Sequence, residues 1–235
     1  MSGRRVILNA DDFGYDPAVS RGIVRAMKLG VVSSTTMMVN TPHSEDAATL
    51  SDGLALGLHL NLARWAAVSR PGHQLDERDA ATLERAFVHD ETLAQLDRLK
   101  ALVGREATHV DVHKHLHRHA AVLDGVCDAA SSRGLAVRSI DAPMRATLRA
   151  RGVRTNDVFL GDAGATAWWT PSQFAQTVST LPPEGLIELM CHPGFAPSVV
   201  TSGYSSQREV ELATFCAPEA RAVLAARAVT FEAWR

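Results

Sequence analysis

Short apolar runs alternate along the chain with longer stretches in which apolar residues recur every three or four positions. Val6–Ala10 predicts a first strand. Asp16-Pro17 predicts an N-cap followed by a proline in the first helical position. The helix it opens carries Val19, Ile23 and Met27 inward and stops near Gly30. The β-branched run Val31–Val39 predicts a second strand, and a short helix capped by Ser44 follows it. Leu54–Leu62 alternates cleanly, with Gly57, His59 and Asn61 on one face and Leu58, Leu60 and Leu62 on the other. A polar connection over 63–79 leads into a long helix, Ala80–Val103, that ends at Gly104. Further strands are predicted at Thr108–His113, Leu135–Ile140, Asp157–Leu160, Leu186–Cys191 and Ala228–Phe231. The matching helices run through Ser132, from Thr170-Pro171, and over Gln207–Cys216.

Strands that each lead into a helix argue for an α/β fold: an irregular TIM-like (β/α) barrel of seven or eight mostly parallel strands. The competing arrangement is an open doubly wound sheet, but its Gly-rich turn after the first strand is replaced here by Asp11-Asp12-Phe13. No internal repeat or linker-like stretch divides the sequence, so 1–235 is expected to form one domain. A length of 235 residues suits one such barrel, and 46% hydrophobic with 21% charged residues excludes disordered or fibrous classes. With 24 Lys and Arg against 26 Asp and Glu, bulk charge recruits neither nucleic acid nor an anionic membrane. Three scattered cysteines make no disulfide framework. The N-terminus lacks a signal-peptide core and no apolar stretch approaches the roughly 20 residues of a membrane span. A cytoplasmic protein is expected, with no feature that decides for or against a homodimer.

The chemistry-bearing residues collect at strand ends: Asp11 and Asp12 after the first, Asn40 after the second, His59 near the end of the third, His113 after the fourth, His192 after Leu186–Cys191. In a barrel those ends open onto one face, where catalytic residues gather. Five of the ten histidines fall within His109–His119. Alternation puts His109, Asp111 and His113 on one face of the strand, with His115 and His117 beyond its end. One carboxylate with two imidazoles makes a three-ligand set that leaves positions open for water and substrate, as catalytic metal sites do. Imidazole ligands suit zinc or another transition metal, and the second aspartate would then stand as a base beside the site. Cys191 and His192 point to opposite faces, so they form no thiol–imidazole pair. The expected small apolar role of Cys191 leaves His192 to face the cleft.

Asn9–Gly14 (NADDFG), Ser33–Asn40 (SSTTMMVN), Gly57–Leu62 (GLHLNL), Thr108–His117 (THVDVHKHLH) and Met190–Gly194 (MCHPG) together resemble the YdjC-like carbohydrate deacetylases, in order and spacing. The resemblance implies a divalent metal, Mg²⁺ by family habit, and hydrolysis of an N-acetyl group from an amino sugar. It places an aspartate of NADDFG with His59 and His113 on the metal. Extended to polysaccharide deacetylases more broadly, it makes Asp12 the ligand and Asp11 the base. His192 is expected to protonate the leaving amine, and Asn40, Asn61 and Trp65 to contact substrate. Two positions depart from the family: Val112 stands where serine is frequent, and Ala63-Arg64-Trp65 replaces a loop beside the site. The rival readings are a metal-dependent phosphoesterase, disfavoured by the few Lys or Arg near the motifs, and a non-catalytic metal- or sugar-binding protein.

Overall fold

The computed structural model describes residues 5–227 and 229–234. Its strands are β1 (Arg5–Phe13), β2 (Ser34–Met37), β3 (Leu56–Leu60), β4 (His109–Val112), β5 (Ala136–Val137), β6 (Val158–Leu160), β7 (Leu186–Cys191) and β8 (Thr230–Phe231). All pair in parallel, in the order β5-β4-β3-β2-β1-β7-β6, with β8 beside β1. β2 pairs with Asn9–Phe13 and β8 with Arg5 and Val6, so the two share one edge of β1, the long central strand. The sheet curls into a partial barrel wrapped by helices, which agrees with the TIM-like expectation. No β5–β6 ladder closes it among the described residues.

The helices are α1 (Pro17–Leu29), α2 (Ser44–Ala48), α3 (Arg85–Val103), α4 (Ala120–Ser132), α5 (Ala142–Ala150), α6 (Pro171–Thr180), α7 (Ser206–Cys216) and α8 (Pro218–Ala225). α1 forms as its sequence predicts: the Asp16 carboxylate accepts from the Ala18 amide at 2.7 Å, and Val19 and Ile23 are fully buried. The single helix expected over Ala80–Val103 is instead a 3₁₀ turn, Glu77–Thr82, and then α3, because Leu83 adopts an extended conformation between them. Ser44 does not cap α2 from outside. It is the helix's first residue, and its hydroxyl donates to the carbonyls of Met38 and Thr41. α5 and α8 were not anticipated; each opens on a proline in the first turn, a start signal hidden in polar, alanine-rich sequence.

The strand expected over Leu135–Ile140 shrinks to two residues. Arg138 turns into the barrel there, and Ser139 bonds the side chain of Asn156 instead of a neighbouring strand. The barrel interior is therefore polar at its upper layer. Lower down it is packed by His109, which stacks on Trp234 at 5.0 Å, and by the bare backbone of Gly57. A Cβ on Gly57 would lie 2.4 Å from His109 Nδ1, so only glycine admits the ring. No helix among the described residues is long and apolar enough to cross a membrane.

Candidate active site

β1 delivers both aspartates to the cavity by breaking its own regularity. Consecutive strand residues face opposite ways, but the β1–β2 register slips between Ala10 and Phe13, and Asp12 takes a left-handed conformation with φ of 72°. Such a backbone is unfavourable for any residue with a Cβ and clusters at functional sites. It lets the two neighbouring carboxylates serve separate partners.

Asp12 Oδ1 lies 3.2 Å from His59 Nε2 and 3.2 Å from His113 Nδ1, and the two imidazole nitrogens are 3.1 Å apart. Neighbouring ligand atoms around a small divalent ion sit about 3.0 Å apart in an octahedron and about 3.3 Å in a tetrahedron. The three atoms thus fit such a cation. Asp12 Oδ1 is also sealed from solvent with no well-directed hydrogen bond among the described residues. The Asp111 carboxylate takes His59 Nδ1 at 2.6 Å, which fixes the ring's orientation and turns Nε2 toward the triad. Burial disfavours a charged His59, yet Asp111, Asp12 and Asp11 outweigh it and lift its pKa to about 10. The pocket is built to hold positive charge.

Asp11 stands outside that triad. Arg138, fully buried, grips it with a two-pronged fork, Nη1 to Oδ2 at 2.6 Å and Nη2 to Oδ1 at 2.7 Å. Asn9 Nδ2 adds a bond to Oδ1 at 2.8 Å. Burial alone would raise the Asp11 pKa, but the Arg138 charge and hydrogen bonds hold it well below the usual carboxylate range. The same guanidinium reaches Asp111 at 2.8 Å and Glu188 at 2.7 Å, so one cation joins β1, β4 and β7 across the barrel. Arg208 on α7 bonds the other Asp12 oxygen at 2.6 Å.

His192 follows β7, and its backbone amide donates to Glu211 at 2.6 Å. Glu211 also accepts from the Tyr204 phenol at 2.6 Å, and the Tyr204 ring packs edge-on to His192 at 5.3 Å. His192 Nδ1 is buried without a partner among the described residues, leaving Nε2 for the cavity. Burial pushes the ring down to about 4, against the pull of Asp12 and Asp11. Asp11, Asp12, His59, His113 and His192 line one cavity of about 700 Å³.

Asn40 and Asn61 sit differently from the substrate contacts expected of them. Asn61 Nδ2 donates to Asn40 Oδ1 at 2.9 Å and to the Arg64 carbonyl at 2.8 Å, while Asn40 Nδ2 reaches the Ala66 carbonyl at 3.1 Å. The pair ties down the 61–66 loop and does not line the cavity. Trp65, in the left-handed region with φ of 67°, packs its ring edge-on to Tyr15 at 5.8 Å. The expectation of few cations near the motifs is corrected. Arg64, Arg78, Lys114, Arg118 and Arg208 all line the cavity; Lys114 belongs to the His-rich motif, and the other four come from segments that the motifs do not cover. Three of them are neutralised locally: Arg78 by Asp76, Lys114 by Glu77 and Arg208 by Asp12.

One buried carboxylate holds the opposite wall. Asp16 Oδ2 accepts from the amides of Ser198, Val199 and Val200 at 3.0, 2.9 and 3.1 Å, which anchors the loop carrying Thr201–Tyr204 into the cavity. Burial raises its pKa, but these amides outweigh that and hold it at about 2.

Several of these histidines make the fold sensitive to acid. Burial pushes His109, His113, His115, His117 and His192 down, His117 to about 3. The folded chain keeps them neutral while the unfolded chain protonates them below about 6.5, so stability falls as the pH drops through that value. Burial lifts Glu188 and Glu211 to about 7, and they act oppositely between their unfolded values and 7, two groups against five. Urea unfolding of the metal-free chain should show stability lost on the order of a few kcal/mol per pH unit below pH 6. His117→Phe should flatten that slope; a profile flat from pH 7 to 5 would contradict the assignment of neutral rings.

A family model described as YdjC-like protein matches residues 5–226. A carbohydrate deacetylase of Geobacillus stearothermophilus is 33% identical, covering 99% of this chain and 97% of its own. A chitooligosaccharide deacetylase of Serratia marcescens is 32% identical over 94% of each chain. Among solved structures, an Enterococcus faecalis protein named for a proposed role in cellobiose-phosphate cleavage superimposes with a TM-score of 0.88. It is 26% identical and covers 99% of this chain and 98% of its own. With the match spanning nearly the whole sequence and four of the five motifs meeting in one cavity, the chain belongs to the YdjC-like family.

Proposed function

We propose that this protein is a metal-dependent hydrolase that removes the N-acetyl group from an N-acetylated amino sugar. The observation that carries the reading is the division of labour between neighbouring carboxylates. Asp12 converges with His59 and His113, while Arg138 holds Asp11 apart and ionised. The names of the relatives from Geobacillus and Serratia support the same chemistry, and a cavity of about 700 Å³ has room for a sugar of one or two rings.

Asp12, His59 and His113 would hold a divalent cation, magnesium or a transition metal, which when bound acidifies a water and polarises the acetyl carbonyl. Asp11 remains ionised at neutral pH and accepts the water's proton. Arg138 fixes the plane of that carboxylate, so the accepting oxygen does not wander. His192 presents Nε2 to the amide nitrogen and delivers the proton that the departing amine needs. Glu211 and Tyr204 hold His192 through its backbone amide and its ring face. The products are acetate and a free amino sugar.

The test is acetate release from a panel of N-acetylated mono- and disaccharides, with metal supplied and then chelated, alongside phosphate release from phosphorylated sugars. Acetate release lost on chelation and restored by metal is expected. Phosphate release in its place would favour the phosphoesterase that the cationic lining admits, and metal or sugar binding without turnover would favour a binding protein. Metal content divides the histidines. His59→Ala and His113→Ala should lose stoichiometric metal, whereas His117→Ala should keep it. A His113→Ala chain at full occupancy would break the ligand assignment.

A further inference from the structure

His59, His113 and His192 have tasks in the scheme above, but His115, in the same His-rich segment, has none. The turn that follows β4 holds both Lys114 and His115 in the left-handed region, with φ of 54° and 53°. Two successive residues with side chains in that conformation are strained, and glycine would relieve either position. The turn aims the His115 ring into the catalytic cavity, which it lines together with Asp11 and His192. There the ring meets Phe159 edge-on at 5.5 Å and stands 5.9 Å from His117. Its Nδ1 is sealed without a partner among the described residues, so Nε2 is the nitrogen left to the cavity. His115 is also outside the group of side chains that converge as metal ligands.

We propose that His115 is a substrate-positioning residue, whose Nε2 hydrogen-bonds a ring hydroxyl of the acetylated sugar and so selects which amide reaches Asp11. The role of the sugar rests on the deacetylase reading. A hydroxyl is the matching group because it can donate to or accept from an imidazole nitrogen. An anionic substituent would be served better by Arg64 or Arg118, which line the same cavity. The strain in the turn then has a purpose: a relaxed turn would carry the ring away from the position that the sugar must meet.

The experiment is titration calorimetry and steady-state kinetics of the metal-loaded enzyme with N,N′-diacetylchitobiose and its monodeoxy analogues. His115→Ala should weaken binding and lower kcat/KM by about 10- to 100-fold, carried by KM, with metal content and circular dichroism unchanged. His115→Gln, which places an amide nitrogen near Nε2, should restore most of the affinity; His115→Asn, which matches Nδ1, should not. One monodeoxy analogue should bind the wild type as poorly as the full sugar binds His115→Ala, and lose nothing further in that variant. Unchanged binding in His115→Ala, equal behaviour of Gln and Asn, or loss of metal would each overturn the proposal. If the wild type binds the sugar but releases no acetate, the deacetylase reading fails while the titration still decides the role of His115. If the wild type does not bind it at all, both fail.

Discussion

Arg138→Met should cost the fold about 3–5 kcal/mol, a large part of the stability of an ordinary domain. The guanidinium is fully buried, and burial alone would disfavour its charge. Asp11, Asp111 and Glu188 together outweigh that penalty and hold it firmly protonated. Methionine fills similar volume but leaves three buried carboxyls facing one another without a cation. Each must then stay ionised in a dry interior or take up a proton. Their folded-state pKa values would rise above the unfolded ones, so the missing stability should be greatest at pH 8 and shrink toward pH 5. Arg138→Lys should lose less stability, since the charge survives, but much of the activity, since a point charge cannot reproduce the fork on Asp11. Urea titrations of the three proteins at pH 5 and pH 8 measure this. A methionine variant as stable as the wild type at both values would mean that the carboxyls are already protonated and that Asp11 is not held ionised.

That cluster also shows where sequence reasoning stopped. The strands with strong apolar periodicity, β1, β3 and β7, were legible to within a few residues. That an aspartate of β1 meets His59 and His113 followed from strand ends that a barrel brings together, whereas the choice of Asp12 over Asp11 came from the family resemblance alone. Arg138 and Glu188 were passed over because each sits inside a run, LAVRSI and LIELM, that reads as buried strand. A charge in such a run is itself the signal, since Arg and Glu are almost never fully buried unless paired. Two of them in separate apolar runs of one barrel point to each other as partners, and Arg138 does pair with Glu188. Arg208, Tyr204 and Glu211 carried no comparable signal. They lie on α7 and the loop before it, and only the docking of α7 against α1 brings them to Asp12 and His192. Asn40 and Asn61 erred in the other direction. Polar residues at strand ends satisfy loop backbone as readily as they meet substrate, and here they hold the 61–66 loop.

His192→Ala should keep the metal and the fold but lose about 10²–10⁴-fold in amide turnover, the usual worth of a general acid. An amide anion cannot leave at neutral pH, so the nitrogen must receive a proton, and stabilising the oxyanion does not supply one. Toward an activated ester, whose leaving group needs no proton, the same variant should lose far less. The environment adds a pH signature. Because burial holds His192 near 4, only a small fraction of the rings carries a proton at neutral pH. That fraction grows as the pH falls, so kcat/KM for the amide should climb from pH 8 toward pH 6, until acid unfolding cuts it off. The ester profile should lack that climb, and so should the amide profile of His192→Ala. Measuring both substrates with both proteins across that range separates three roles. A loss confined to the amide, with the climb abolished, assigns the proton to His192. Equal losses on amide and ester with the climb retained would make it a positioning group for Asp11 or the substrate. Loss of bound metal would make it a fourth ligand, and the proton would then have to come from another group lining the cavity.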